Sequence, residues 1–155
     1  MVEQQLRQRG LDDAKVLAAM GQVPREEFVP PDMRPHAYED SALSLSRGQT
    51  ISQPYTVAFM VAALKLTGDE KVLEIGTGCG YGAAILAQVA REVHTVERIA
   101  ELGIESRQRL HRLGIDNVTV HIADGSLGLP SHAPYQAIVA TAGGPELPAP
   151  FIEQL

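Results

Sequence analysis

Residues 72–97 read "VLEIGTGCGYGAAILAQVAREVHTVE". An apolar run stops at alternating glycines, Gly76, Gly78, Gly80 and Gly82, and a helical pattern follows. Glu74 stands just before the first glycine, and Glu97 ends the next apolar run. A strand feeding a glycine-rich turn and then a helix brings backbone N–H groups to a ligand, which is how many α/β proteins hold a nucleotide.

Working outward, strands alternate with helices after residue 68. The pattern predicts strands over Lys71–Ile75, 92–96, 118–123 and 137–141, and helices over 81–90 and 99–113. Ile99, Leu102, Ser106, Leu110 and Leu113 share the inward face of the second helix, and Gly114 ends it. Such alternation implies an α/β fold, doubly wound around a mainly parallel, Rossmann-like sheet with right-handed crossovers. The stretch "GSLGLPSHAPY" reads only as loop or a single turn. Before residue 68 the reading is helical. "LDDAKVLAAM" carries Val16, Leu17 and Met20 on one face with Gly21 as a stop, and "VPREEFVPP" is a turn between prolines. "SQPYTVAFMVAALKL" places Val57, Met60, Val61 and Leu64 on a buried stripe, with Ser52 at the N-cap position and Pro54 in the first turn. Residues 1–67 thus form an N-terminal helical segment and 68–155 an α/β core, expected to fold together as one domain.

Composition narrows the class. The 155 residues are 45% hydrophobic and 21% charged, with a formal net charge of −6. That suits a globular protein with a real core and disfavours a nucleic-acid partner, which needs a basic face. No apolar run approaches the roughly 20 residues of a membrane span, and no signal-peptide core follows Met1. A single cysteine, Cys79, excludes an internal disulfide, and a cytoplasmic location is expected. His36, His94, His111, His121 and His132 show no ligand spacing, so no metal site is expected.

Ligands in such sheets bind at the carboxyl ends of the strands, where Glu74, Glu97 and Asp124 lie. A nicotinamide dinucleotide wants G-x-G-x-x-G, but Tyr81 occupies the third glycine's place, and Glu74 would set negative charge near a pyrophosphate. S-adenosylmethionine has no phosphate and carries an ammonium and a sulfonium, so acids around the turn suit it. Glu97 follows the turn by about 20 residues, the spacing of an acid that holds ribose hydroxyls. Plainer readings stand beside these: a tight strand-to-helix turn, a strand-end acid at Glu97, and a turn former at Asp124 ahead of Gly125. Cys79 reads as a small packing residue.

From about Leu6 to the last residue, the chain resembles the protein-L-isoaspartate O-methyltransferase family, class I S-adenosylmethionine-dependent enzymes. The glycine motif is shared widely, whereas "VPREEFVP" and "GQTISQP" are far more specific; "AYEDSALSL", "VERIAEL" and "LGIDNVTVHIADGSLGLPSHAPYQAIVATAGGPELP" extend the likeness. The resemblance implies a core strand order of 3-2-1-4. It also implies a cofactor site made by Glu74, Gly76, Thr77, Gly78, Gly80, Glu97, Arg98, Asp124 and Gly125. In that site Glu97 would hold the ribose and Asp124 the adenine amino group. Thr50, Ile51, Ser52, Gln53, Pro54 and Tyr55 would receive the substrate, with Ser52 at the active centre. The implied reaction methylates the free α-carboxylate of L-isoaspartyl residues in damaged proteins and peptides, which initiates repair.

Departures from the family pattern are Cys79 for serine, Tyr55 where many members have histidine, and Gln136 for aspartate. Family members also continue past the closing "QL" into further strands. The fourth core strand is therefore expected either to offer an open edge for self-association, or to be shielded by the tail "GGPELPAPFIEQL" through Phe151, Ile152 and Leu155. A methyltransferase for another carboxylate, or a cofactor-binding unit without turnover, are the alternatives.

Overall fold

The computed structural model describes residues 1–45, 48–143 and 146–155. Helix α1 (Ala14–Gln22) starts where Asp13 caps the backbone N–H groups of Lys15 and Val16, each at 3.0 Å. It buries Val16, Leu17, Ala19 and Met20. Gly21 does not stop it. The helix runs on to Gln22 and ends because Val23, which precedes Pro24, is pushed to extended backbone. The expected turn between prolines is a 3-10 turn, Arg25–Phe28.

Strands β1 (Leu43–Ser44) and β2 (Thr50–Ile51) pair antiparallel and deliver the chain to helix α2 (Pro54–Ala63). Gln53, not Ser52, is the N-cap of α2, with no side-chain capping bond. Pro54 explains the shift: its fixed φ and missing N–H suit the first helical position, so the cap falls on the residue just before it. Val57, Ala58 and Val61 are buried, while Met60 and Leu64 are only half-buried.

The core holds β3 (Lys71–Ile75), α3 (Tyr81–Ala87), β4 (Glu92–Glu97), α4 (Ala100–Arg112), β5 (Val118–Ile122) and β6 (Ala137–Ala140). The four strands are all parallel in the order β5-β4-β3-β6, the expected 3-2-1-4. Helix α3 is shorter than expected and closes in a turn over residues 88–90. Helix α4 buries Leu102, Ser106 and Leu110, but Ile99 is its N-cap and Leu113 its C-cap, so both are only half-buried.

One face of the sheet packs Val72, Val93 and Val120 against Ala84, Ile85 and Leu86 of α3. The other face carries Leu73, Ile75 and Val96, covered by Tyr135 and Phe151. Phe151 belongs to helix α5 (Ala149–Glu153), so the tail does fold back, though Gly144 and Pro145 of it lie outside the described residues. It covers a face and leaves the edge: among the described residues β6 pairs only with β3. Ile152 and Leu155 stay 62% and 60% exposed, against the expectation that they shield the strand. Gln154 anchors the tail instead, accepting from the Leu129 N–H and donating to the Leu127 carbonyl, both at 2.7 Å. No helix among the described residues is long and apolar enough to cross a membrane.

Candidate active site

The carboxyl ends of β3 and β4 open into a cavity of about 930 Å³. Its floor is the glycine turn. Gly76 has φ +99°, and a Cβ there would lie 2.6 Å from Thr141 Oγ1 and 3.2 Å from the Ala142 nitrogen, so only glycine lets the turn pass beneath β6. A Cβ on Gly78 would meet nothing within 4 Å, so there is room for a ligand to come close to the turn there. Gly80 caps α3.

Two carboxylates stand against this turn in different environments. Glu97 Oε2 accepts from the Gly78 N–H at 2.8 Å, and Oε1 accepts from the Ile99 N–H at 2.9 Å. The acid is thereby fixed in place, with lone pairs left over for hydroxyl groups. Glu74 is 1% exposed on β3, and its Oε2 accepts a 2.7 Å bond from Thr95 Oγ1. Burial pushes its carboxyl up to about 8, against the Thr95 bond, and the nearby Glu97 charge adds to the rise. A Cβ on Gly82 would collide with Glu74 Oε1, so the glycine leaves that oxygen its space. Asp124 caps the 3-10 turn Gly125–Leu127 through the Ser126 N–H at 2.9 Å, which draws its carboxyl below the usual range.

The structure gathers most of the expected set around one cavity. Glu74, Gly76, Thr77, Gly78, Glu97, Arg98, Asp124 and Gly125 line it from the core, and Thr50, Ile51 and Ser52 from the N-terminal segment. Gln53, Pro54 and Tyr55 do not line it. Gln53 Nε2 donates to Asp40, Pro54 is buried in the first turn of α2, and the Tyr55 ring lies under the Arg9 guanidinium at 3.7 Å. Gly80 also lies back from the wall, with its Cβ position 3.3 Å from Ser106.

Three contributors leave little trace in the sequence. Thr95 is fully buried and links Glu74 to Thr77, whose hydroxyl lies 2.6 Å away; the lone threonine inside the apolar run "EVHTVE" is its only signal. Thr141 bonds the Ile75 and Gly76 carbonyls at 2.9 and 2.6 Å. Arg25 is wholly buried, donating from Nε to the Ala37 carbonyl and from Nη2 to the Ser52 carbonyl, both at 2.7 Å. It fixes the backbone of the serine expected at the active centre.

The family model described as Protein-L-isoaspartate(D-aspartate) O-methyltransferase (PCMT) matches residues 1–155. The chain belongs to this family. Protein-L-isoaspartate O-methyltransferase 2 of Pelobacter propionicus is 56% identical over 155 residues, which cover 100% of this chain and 69% of the relative. A solved protein-L-isoaspartate O-methyltransferase is 32% identical with a TM-score of 0.87, matched over 100% of this chain and 52% of its own. A Plasmodium falciparum structure, described as a beta-aspartate methyltransferase in complex with S-adenosyl-L-homocysteine, has a TM-score of 0.83 at 24% identity. That match covers 99% of this chain and 78% of the other. The chain thus spans about two thirds of the bacterial relative and about half of the first of these solved structures. The core is that of an S-adenosylmethionine-dependent methyltransferase.

Proposed function

We propose that the chain transfers a methyl group from S-adenosylmethionine to the α-carboxylate of L-isoaspartyl residues in damaged proteins and peptides. The observation that carries this is the shared wall: the Thr50–Ser52 segment and the acid-flanked glycine turn line the same cavity. The donor set suits the cofactor's chemistry, with Glu74 and Glu97 set against the turn and room for a ligand beside Gly78. Glu97 would hold the ribose hydroxyls, Asp124 the adenine amino group, and Glu74 with the glycines the methionine end. When bound, S-adenosylmethionine supplies an electrophilic methyl on a sulfonium.

The residues' part is binding and orientation. An isoaspartyl α-carboxylate, whose ordinary pKa is about 4, is ionised at neutral pH and needs no general base. Ser52, half-buried in the cavity wall, would donate a hydrogen bond that aims the carboxylate. Correct orientation can supply roughly 7–11 kcal/mol of barrier lowering at best. An anion and a cation become two neutral groups in the reaction, so a wall rich in Ile51, Val57, Met60 and Val61 favours it by keeping water sparse. On this reading residues 1–67 carry the substrate side and 68–155 the cofactor side of one domain working in the cytoplasm, without nucleic-acid or membrane partners. The open edge of β6 is where copies of the isolated chain would associate.

The deciding experiment titrates S-adenosylhomocysteine by calorimetry and then compares methylation of isoaspartyl and normal aspartyl peptides. Methylation of the isoaspartyl peptide alone is expected. Equal methylation of both would favour another carboxylate. Binding without turnover would make the chain a cofactor-binding unit.

A further inference from the structure

His94 on β4 and His121 on β5 share a face of the sheet. The register pairs Val96 with His121 and His94 with Thr119, so the two histidines are offset by a side-chain repeat. Their rings stack with centroids 5.2 Å apart. The 3-10 turn Pro130–His132 then brings the His132 ring to 4.5 Å from His94 and 4.9 Å from His121. One ring nitrogen from each of the three lies within 4.8 Å of the others. None of the three lines the cavity described above. Chain spacing could not show this cluster, because the sheet assembles it from three separate elements.

A second feature gives the cluster direction. His94 Nε2 lies 2.8 Å from Glu92 Oε1, and a carboxylate can only accept there, so Nε2 carries the proton. The neutral ring then presents the lone pair of Nδ1, which lies 2.9 Å from His121 Nε2. A histidine whose far nitrogen donates to a carboxylate is the arrangement that orients metal-binding imidazoles and raises their basicity.

We propose that His94, His121 and His132 form a binding site for a late first-row divalent metal ion, zinc first among them, separate from the methyl-transfer cavity. Three imidazole nitrogens are a borderline donor set that suits such ions. Tetrahedral zinc with Zn–N bonds of roughly 2.0–2.1 Å sets its ligand nitrogens about 3.3 Å apart. The cluster reaches that spacing by side-chain rotation, with water at the fourth position. His121 switches tautomer on binding: its proton leaves Nε2 for solvent and Nδ1 takes one up, so no net charge changes on the ring. The ion would tie the turn ahead of β6, now held by the Lys71 ammonium at 2.6 Å from the His132 carbonyl, to β4 and β5.

The test uses the chain without a histidine tag, after treatment with a chelator. Zn²⁺ is titrated by scanning calorimetry, and Co²⁺ is followed by its visible d–d absorption. The expected result is a Tm that climbs with the logarithm of free zinc. Tetrahedral cobalt bands should appear without thiolate charge transfer, since the sole thiol, Cys79, is buried elsewhere. His121→Gln and His132→Gln should each abolish both signals, and His36→Gln neither. If His121→Gln fails to fold, His132→Gln, on a turn outside the sheet, still decides the matter. No rise in Tm, or a rise that persists in His132→Gln, overturns the proposal and leaves a hydrogen-bonded ring stack.

Discussion

Thr95 Oγ1 donates a 2.7 Å hydrogen bond to Glu74 Oε2 in the interior, and this hydroxyl opposes the burial that pushes the Glu74 carboxyl up to about 8. An acid raised by burial takes up a proton on folding. Between its ordinary value of 4.5 and about 8 the folded chain holds one proton more than the unfolded chain. This contribution to stability is therefore complete below the ordinary value and is lost as pH rises through about 8. Glu74→Gln keeps an acceptor for Thr95 and removes the titration. Relative to the variant, the parent should lose about 1.4 kcal/mol for each pH unit across that window. Denaturant unfolding at pH 5, 6, 7 and 8 checks it, and parallel curves would count against the assignment.

The same carboxyl couples to ligand binding. A cation placed beside Glu74 favours its ionised form, so S-adenosylmethionine should bind at pH 7 with release of a proton. Affinity should accordingly rise from pH 6 to pH 8. Calorimetry in two buffers of different ionisation enthalpy measures the release directly, and Glu74→Gln should remove it.

Glu97 answers to two backbone donors, Gly78 and Ile99, and so fixes the glycine turn against the start of α4. Glu97→Ala should weaken S-adenosylhomocysteine binding by roughly 10- to 100-fold, the value of a charge-assisted hydrogen bond of about 1.5–3 kcal/mol. The ligand-induced rise in Tm should largely disappear. Binding as tight as the parent's would remove Glu97 from the ribose contact.

The sheet and the glycine turn are legible in the sequence because their signals are local. Alternating apolar runs, the glycines and the strand-end acids at Glu74 and Glu97 each follow from a short window. What the sequence hides depends on contacts between distant segments. Arg25 sits in the turn "VPREEFVPP", whose sequence gives no sign that it is buried with the carbonyls of Ala37 and Ser52 converging on it. Gln154 reads as a tail residue, yet its amide serves Leu127 and Leu129. The Ser52 cap fails for a local reason: Pro54 fixes the first helical position and leaves the cap to Gln53.

Because Gln53 caps α2, Ser52→Ala removes no cap and should leave Tm nearly unchanged. Turnover of an isoaspartyl peptide should fall roughly 10- to 100-fold, as expected for a lost hydrogen bond to a charged group, with S-adenosylhomocysteine affinity retained. Arg25→Lys probes the same serine from behind. A lysine ammonium cannot reproduce the planar pair of donors that spans Ala37 and Ser52, so one buried carbonyl would lose its partner. The expected cost is about 1–3 kcal/mol of stability. In the folded variant kcat should fall, because Arg25 holds the backbone of Ser52; cofactor affinity is measured beside it, since the guanidinium also lies over the Tyr81 ring at 4.8 Å. Full turnover in a folded Arg25→Lys would show that the Ser52 backbone is positioned by β2 and α2 without the arginine.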